Sequence, residues 1–141
     1  MKGSELELRI ATDDAAVTGL LDRLEAYAEA AALPPRLAYQ LALICEELVT
    51  NVATHGTSGL PPATYVALKV SWQGPLLHLW FEDDGPPFNP LSLRAPDTAA
   101  DLDDRDIGGL GIHLVRTLAR EIRYERVGPH NRINLILGAE G

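Results

Sequence analysis

Between Arg36 and Thr54 the apolar residues Leu41, Ile44, Leu48 and Val52 recur at the spacing of one helix face. A helix with a single apolar stripe must bury it against another layer of structure. The next segments, "TYVALKVSW" and "LLHLWFED", flank Gln73-Gly74-Pro75 and read as two strands joined by a short turn. Upstream, "ELELRIA" alternates like a strand, with Leu6, Leu8 and Ile10 on one face. Thr12, Asp13 and Asp14 supply N-cap chemistry for a first helix, which runs to about Leu33 and is stopped by Pro34 and Pro35. Gly56 is the expected stop of the second helix. Downstream, "GIHLVRTLAR" reads as helix, and "EIRYERV" and "RINLILG" as a last strand pair around "GPHN". The order β-α-α-β-β-loop-α-β-β implies an α+β, two-layer sandwich with helices on one face of a mixed, mostly antiparallel sheet.

With 141 residues and neither an internal repeat nor a linker, the chain reads as one domain over 1–141. Its 46% hydrophobic and 23% charged residues give an ordinary globular balance. One cysteine, Cys45, permits no intrachain disulfide and fits a reducing compartment. The N-terminal "MKGSELELRI" lacks a basic-then-apolar signal pattern, and no apolar run approaches a membrane span. A cytoplasmic protein without a membrane partner is expected. The net charge of −8 argues against a direct nucleic-acid partner, because phosphate backbones demand clustered basic side chains. A nucleotide would then need a divalent cation or a nest of backbone N–H groups.

Three short stretches carry chemistry. In "CEELVTNVATHG", Glu47, Asn51 and His55 fall four residues apart and line a polar stripe beside the apolar one. A carboxamide there suits a hard cation, and a carboxylate one turn away suits removal of a proton from an attacking hydroxyl; a solvated helix face fits the same spacing. In "FEDDGPPFNP", Asp83 at a strand end can accept from an exocyclic amine such as that of adenine, and Gly85 lets a flat ring approach the backbone. A plain Asp-Gly turn is the alternative. In "DIGGLGIHLV", Gly108, Gly109 and Gly111 lie directly before a helix, where main-chain N–H groups can hold phosphate oxygens. The stretch from Gly85 to Gly109 is rich in Pro, Asp and Gly without periodicity, as in functional lids or disordered segments.

Taken together and in this order, Glu47-x-x-x-Asn51, Asp83-x-Gly85 and Gly109-x-Gly111 resemble the N, G1 and G2 boxes of the GHKL ATPase superfamily, which includes gyrase, MutL and the histidine kinases. "DDGPPFNP" and "GGLGIHLV" look most like the small anti-sigma-factor serine/threonine kinases of bacteria. The resemblance covers residues 5 to 138 and implies a Bergerat-type sandwich that binds ATP with Mg2+. It implies phosphorylation of a Ser or Thr on an anti-sigma-factor antagonist, sequestration of a sigma factor, and a homodimer. By motif position Asn51 is the Mg2+ ligand and Glu47 the general base. Asp83 receives the adenine amine, with Gly85 beside the ring. Gly108, Gly109, Leu110 and Gly111 form the phosphate-binding run, beneath a lid at about 90–108. Arg105 is a candidate contact for the terminal phosphate, although Asp103, Asp104 and Asp106 surround it.

The chain departs from histidine kinases at Pro86-Pro87-Phe88, where those show a second glycine, and it lacks a helical hairpin bearing a phospho-acceptor histidine. A nucleotide-gated binding module without kinase activity would share nearly all of these motifs. His55, His78, His113 and His130 have no metal-ligand spacing. Trp72 and Trp80 read as strand packing, and Cys45 as a small core residue.

Overall fold

The computed structural model describes residues 4–53, 63–89, 91 and 107–138, with the backbone alone for 4, 14 and 107–112. Eight elements follow one another in the expected order: β1 (Ser4–Ile10), α1 (Asp14–Ala30), α2 (Pro35–Asn51), β2 (Val66–Gln73), β3 (Leu76–Asp83), α3 (Ile107–Leu118), β4 (Glu121–Val127) and β5 (His130–Gly138). The strands lie in the order β1-β2-β3-β5-β4. Every neighbouring pair is antiparallel, so among the described residues the sheet is fully antiparallel rather than mixed.

Local chemistry sets the helix ends. Asp13 caps α1, its side chain accepting from Ala16 N at 2.8 Å. The helix stops at Ala30, short of the prolines. Leu33 N donates to Ala28 O (3.0 Å) and Ala32 N to Glu29 O (3.1 Å), the bonding pattern of a Schellman close. That close places Ala32 at φ 55°, a left-handed conformation usually given to glycine. Ala32→Gly is therefore expected to stabilise the fold by about 1 kcal/mol. Relief of about 1–2 kcal/mol of strain outweighs the greater freedom glycine gives the unfolded chain. Urea unfolding measures it, and an unchanged midpoint would contradict it.

Helix α2 begins at Pro34-Pro35, with proline in its first turn, where the missing N–H costs nothing. It buries Leu37, Leu41, Ile44, Cys45, Leu48 and Val49 against the inward side chains Leu68, Val70, Leu77, Leu79, Phe81, Leu135 and Leu137. Both α1 and α3 pack on α2, and all three helices contribute to this one core. The thiol of Cys45 is fully buried, which pushes its pKa up to about 12. Gly56 lies outside the described residues.

Two details differ from the sequence expectation. The last hairpin turns on Gly128-Pro129 alone, with Gly128 at φ 56°, so His130 and Asn131 already belong to β5. Trp72 packs against the core, whereas Trp80 points to the opposite face of the sheet and stays 40% exposed. Strand alternation with helices on one side alone leaves that face open.

Candidate functional site

Helix α2 carries Glu47 and Asn51 one turn apart, with Asn51 as its last residue. Asn51 is only 4% exposed, and its Nδ2 is the single buried side-chain nitrogen or oxygen lacking a hydrogen-bond partner among the described residues. A buried orphan of this kind is costly in a native fold and marks a group kept for another purpose. Glu47 is half-buried. Burial, then the neighbouring charge of Glu46, push its carboxyl above the usual glutamate value.

Strand β3 delivers Asp83 to the same place. Its inward residues run Leu77, Leu79, Phe81, Asp83, so the acid ends an apolar alternation and is 6% exposed. Asp83 Oδ1 accepts from Gly85 N (2.8 Å) and from Asn131 Nδ2 (3.0 Å). Both bonds fall on one oxygen. Burial raises the Asp83 pKa, and the donors Asn131 and Gly85 offset part of that rise. The next residue faces the other way. Asp84 accepts from the Thr64 hydroxyl, from Thr64 N (2.7 Å) and from Tyr65 N (3.1 Å), fastening the entry to β2 onto the end of β3. Burial would raise its pKa, but these bonds together hold it below the usual aspartate value. Gly85 is buried, and its carbonyl accepts from Arg126 Nη1 at 2.8 Å.

Asn131 is the residue that the motifs did not reveal. It lies directly across from Asp83 in the β3–β5 register and is 4% exposed. Besides Asp83 it donates to Pro86 O (2.9 Å), and its Oδ1 accepts from Phe88 N (3.1 Å) and the Tyr124 hydroxyl (2.6 Å). One amide thus holds the acid and the Pro86–Phe88 exit in a fixed relation. The signal was present in the sequence: Asn131, Ile133, Leu135 and Leu137 form an apolar alternation with a polar end, the twin of Leu77 to Asp83.

Asn51, Asp83, Asn131 and Phe88 line one small cavity of about 20 Å3, floored by Leu48, Val52, Phe81 and Ile133. The helix amide and the strand-end acid therefore meet. Glu47 sits one turn back from that cavity and is not among its described walls. A much roomier groove, about 580 Å3, lies on the open face of the sheet and holds none of Glu47, Asn51, Asp83 and Asn131; size alone would mislead here, because the buried polar groups converge elsewhere.

The glycine run differs from its expected setting. Helix α3 starts at Ile107, so Gly108, Gly109 and Leu110 occupy its first turn and Gly111 opens its second, instead of forming a turn ahead of it. Three glycines cost a helix about 1 kcal/mol each only in its interior, and first-turn N–H groups have no intrahelical acceptor in any case. Arg105, His55 and most of the 90–108 stretch lie outside the described residues. Arg116 of α3 donates to Leu91 O at 3.4 Å.

An antiparallel sheet with a helical layer on one face, bringing a buried helix-end amide and a strand-end acid to the walls of one small, mostly apolar cavity, defines a small α+β domain. Residues 10–137 match the histidine kinase-like ATPase domain, and the chain belongs to that family. Membership implies nucleotide binding and kinase-like chemistry. The chain is 31% identical over 101 residues to the serine/threonine-protein kinase BtrW of Bordetella bronchiseptica, covering 71% of this chain and 70% of that one. In fold it is similar to the RsbU and RsbW domains of Rv1364c from Mycobacterium tuberculosis. There the TM-score is 0.63 and the identity 13%, over 96% of this chain and 32% of that one. It is likewise similar to a chain of the SiaB–SiaC complex from Pseudomonas aeruginosa, with TM-score 0.65 and identity 10%, over 94% and 88%. Among the described residues no helix is long and apolar enough to cross a membrane.

The donor set fits a magnesium nucleotide. Mg2+ is usually held by one or two protein oxygens plus substrate phosphates rather than by a protein cage. Asn51 would offer its amide oxygen to the metal, and its Nδ2, a buried N–H donor without a partner among the described residues, suits a phosphate oxygen beside it.

Proposed function

We propose that this chain is an ATP-dependent protein serine/threonine kinase and anti-sigma factor. It phosphorylates a Ser or Thr of an anti-sigma-factor antagonist and sequesters a sigma factor in the cytoplasm. The observation that carries the reading is the unpartnered amide of Asn51 in the cavity it shares with Asp83. The kinship with a serine/threonine-protein kinase at 31% identity supports the type of reaction.

In this reading Asp83 accepts the adenine amino group through Oδ2, because its internal bonds fall on Oδ1. Gly85 leaves room for the ring. Asn51 is the Mg2+ ligand, and the metal supplies charge neutralisation on the phosphates. The run Gly108, Gly109, Leu110 and Gly111 at the start of α3 meets the phosphates, the free first-turn N–H groups of Gly108 and Gly109 donating to phosphate oxygens with help from the positive end of the helix dipole. Arg105 meets the terminal phosphate beneath the 90–108 lid. Glu47 takes the proton of the acceptor hydroxyl as that oxygen bonds to the γ-phosphorus; the bond from phosphorus to the ADP oxygen breaks, and ADP leaves with that electron pair. The protein works as a homodimer.

Incubation of the chain with Mg-ATP and the antagonist that co-purifies with it tests the proposal. Mass spectrometry is expected to find one phosphorylated Ser or Thr on that partner. Tight Mg-ATP binding without transfer to the partner would instead indicate a nucleotide-gated binding module.

The charge of Glu46 gives a pH signature. It raises the pKa of Glu47, so removing it lowers that pKa. A base works only when deprotonated, and Glu46→Gln is therefore expected to move the acid limb of the transfer rate to lower pH. An acid limb that stays in place argues that another group titrates there.

A further inference from the structure

Pro86 and Pro87, where the chain departs from the histidine kinases, leave two peptide units with a carbonyl but no N–H. Two side chains take up those carbonyls. We propose that one of them, Arg126 on β4, is a positioning residue for the nucleobase: its guanidinium fixes the Gly85 carbonyl and with it the backbone wall beside Asp83. The inference rests on the base-binding role given to Asp83 and Gly85 above, and deepens it.

The Gly85–Pro86 and Pro86–Pro87 units can be hydrogen-bonded only through Gly85 O and Pro86 O. Asn131 Nδ2 donates to Pro86 O at 2.9 Å, and Arg126 Nη1 donates to Gly85 O at 2.8 Å. Register makes these two donors neighbours. Asp83 pairs with Asn131 across β3 and β5, and Asn131 pairs with Arg126 across β5 and β4. Residues directly opposite in a sheet point to the same face, so acid, amide and guanidinium form one row on the helix side. The second hold of Arg126 is local. Its Nε donates to Gly128 O (3.1 Å) in the turn between β4 and β5, where Gly128 sits at φ 56°. One planar fork thus ties the exit of β3 to the last hairpin, a geometry that a lysine ammonium does not reproduce.

Within Gly85-Pro86-Pro87, only Gly85 has a φ that no ring sets. Asp83 Oδ1 restrains it on one side by accepting from Gly85 N at 2.8 Å, and Arg126 restrains it on the other. A wall held in place before the ligand arrives loses less freedom when the ligand binds. The charge of Arg126 acts in the same direction. Burial raises the Asp83 pKa; Asn131 and Gly85 N lower it, the charge of Asp84 raises it, and the charge of Arg126 lowers it. An ionised carboxylate only accepts, so it takes the amine of adenine and repels a carbonyl in the same place. Arg126 therefore favours the amine-bearing base twice, by aligning the ring and by supporting the charge that receives it.

Calorimetric titration of the whole chain with the magnesium complexes of ADP and of inosine diphosphate tests the role, because hypoxanthine carries an oxygen where adenine carries its amine. Arg126→Gln is expected to weaken ADP binding by about tenfold, the size of one charge-assisted hydrogen bond, and to weaken inosine diphosphate less. The preference for ADP then narrows. Arg126→Lys keeps the charge without the fork and is expected to fall between the two. Arg123→Gln makes the same change on the exposed, opposite face of β4 and is expected to bind as the wild type does. Unchanged ADP affinity in Arg126→Gln would overturn the proposal and leave the base-binding role of Asp83 standing. An equal loss for both nucleotides would make Arg126 a prop of the fold and overturn the proposal too. A wild-type chain that binds ADP no better than inosine diphosphate would remove the role of Asp83 itself, and this inference with it.

Discussion

Replacing Glu47 with alanine is expected to cut phosphoryl transfer by about a hundredfold to ten-thousandfold while Mg-ATP still binds. The two effects separate because the residues do. Glu47 stands one helical turn from Asn51, outside the walls of the cavity that Asn51 shares with Asp83. Its half-buried setting and the Glu46 charge raise its pKa towards the range in which a carboxylate is an effective base. The variant should keep its thermal stabilisation by Mg-ATP, since the groups proposed to hold base and metal are intact. Transfer at the wild-type rate would remove Glu47 from the reaction. Loss of stabilisation together with transfer would make it a binding residue instead.

Asn131→Ala is expected to lower stability by about 3 kcal/mol and to weaken nucleotide binding, although Asn131 lies in none of the family motifs. Four hydrogen bonds disappear at once, three of them half-buried bonds to Phe88 N, Pro86 O and the Tyr124 hydroxyl and the fourth the buried bond to Asp83. Asp83 keeps only Gly85 N. Because the amide of Asn131 favours the ionised acid, its removal raises the Asp83 pKa beyond the elevation burial already causes. A carboxyl with a raised folded pKa binds its proton more tightly when folded, so stability falls as pH climbs through the carboxylate range. The variant should therefore be more destabilised at neutral than at acid pH. Equal losses at both, read from urea midpoints, would mean that Asn131 acts only as packing.

The strands and helices were legible because each has a period of its own. Alternation in 5–11, 64–72 and 76–83 and the Leu41–Val52 stripe are local, and the described elements follow them closely. Asp83 was legible as a strand end, and Asn51 as a helix position. Their meeting was implied by the resemblance alone, since it depends on α2 packing onto the end of β3, and the surroundings of Asp83 depend on β5 pairing with β3, some fifty residues apart in sequence. Asn131 was hidden by the same non-local pairing and by a two-residue turn that read as a four-residue one. The glycine run was read as lying ahead of the helix because glycine is costly in a helix interior; the start of α3 takes it in instead. Trp80 was assigned to packing because period two marks which residues share a face without saying which face is covered.

Cys45 gives the buried face of α2 a built-in reporter. With no exposed surface and a thiol raised to about 12, it is shut off from alkylating reagents in the closed state. Iodoacetamide can reach it only while the helix is lifted from the sheet, so its labelling rate counts those excursions. A ligand gripping the last turn of the same helix should make them rarer, registering as slower modification of a sulfur it never touches.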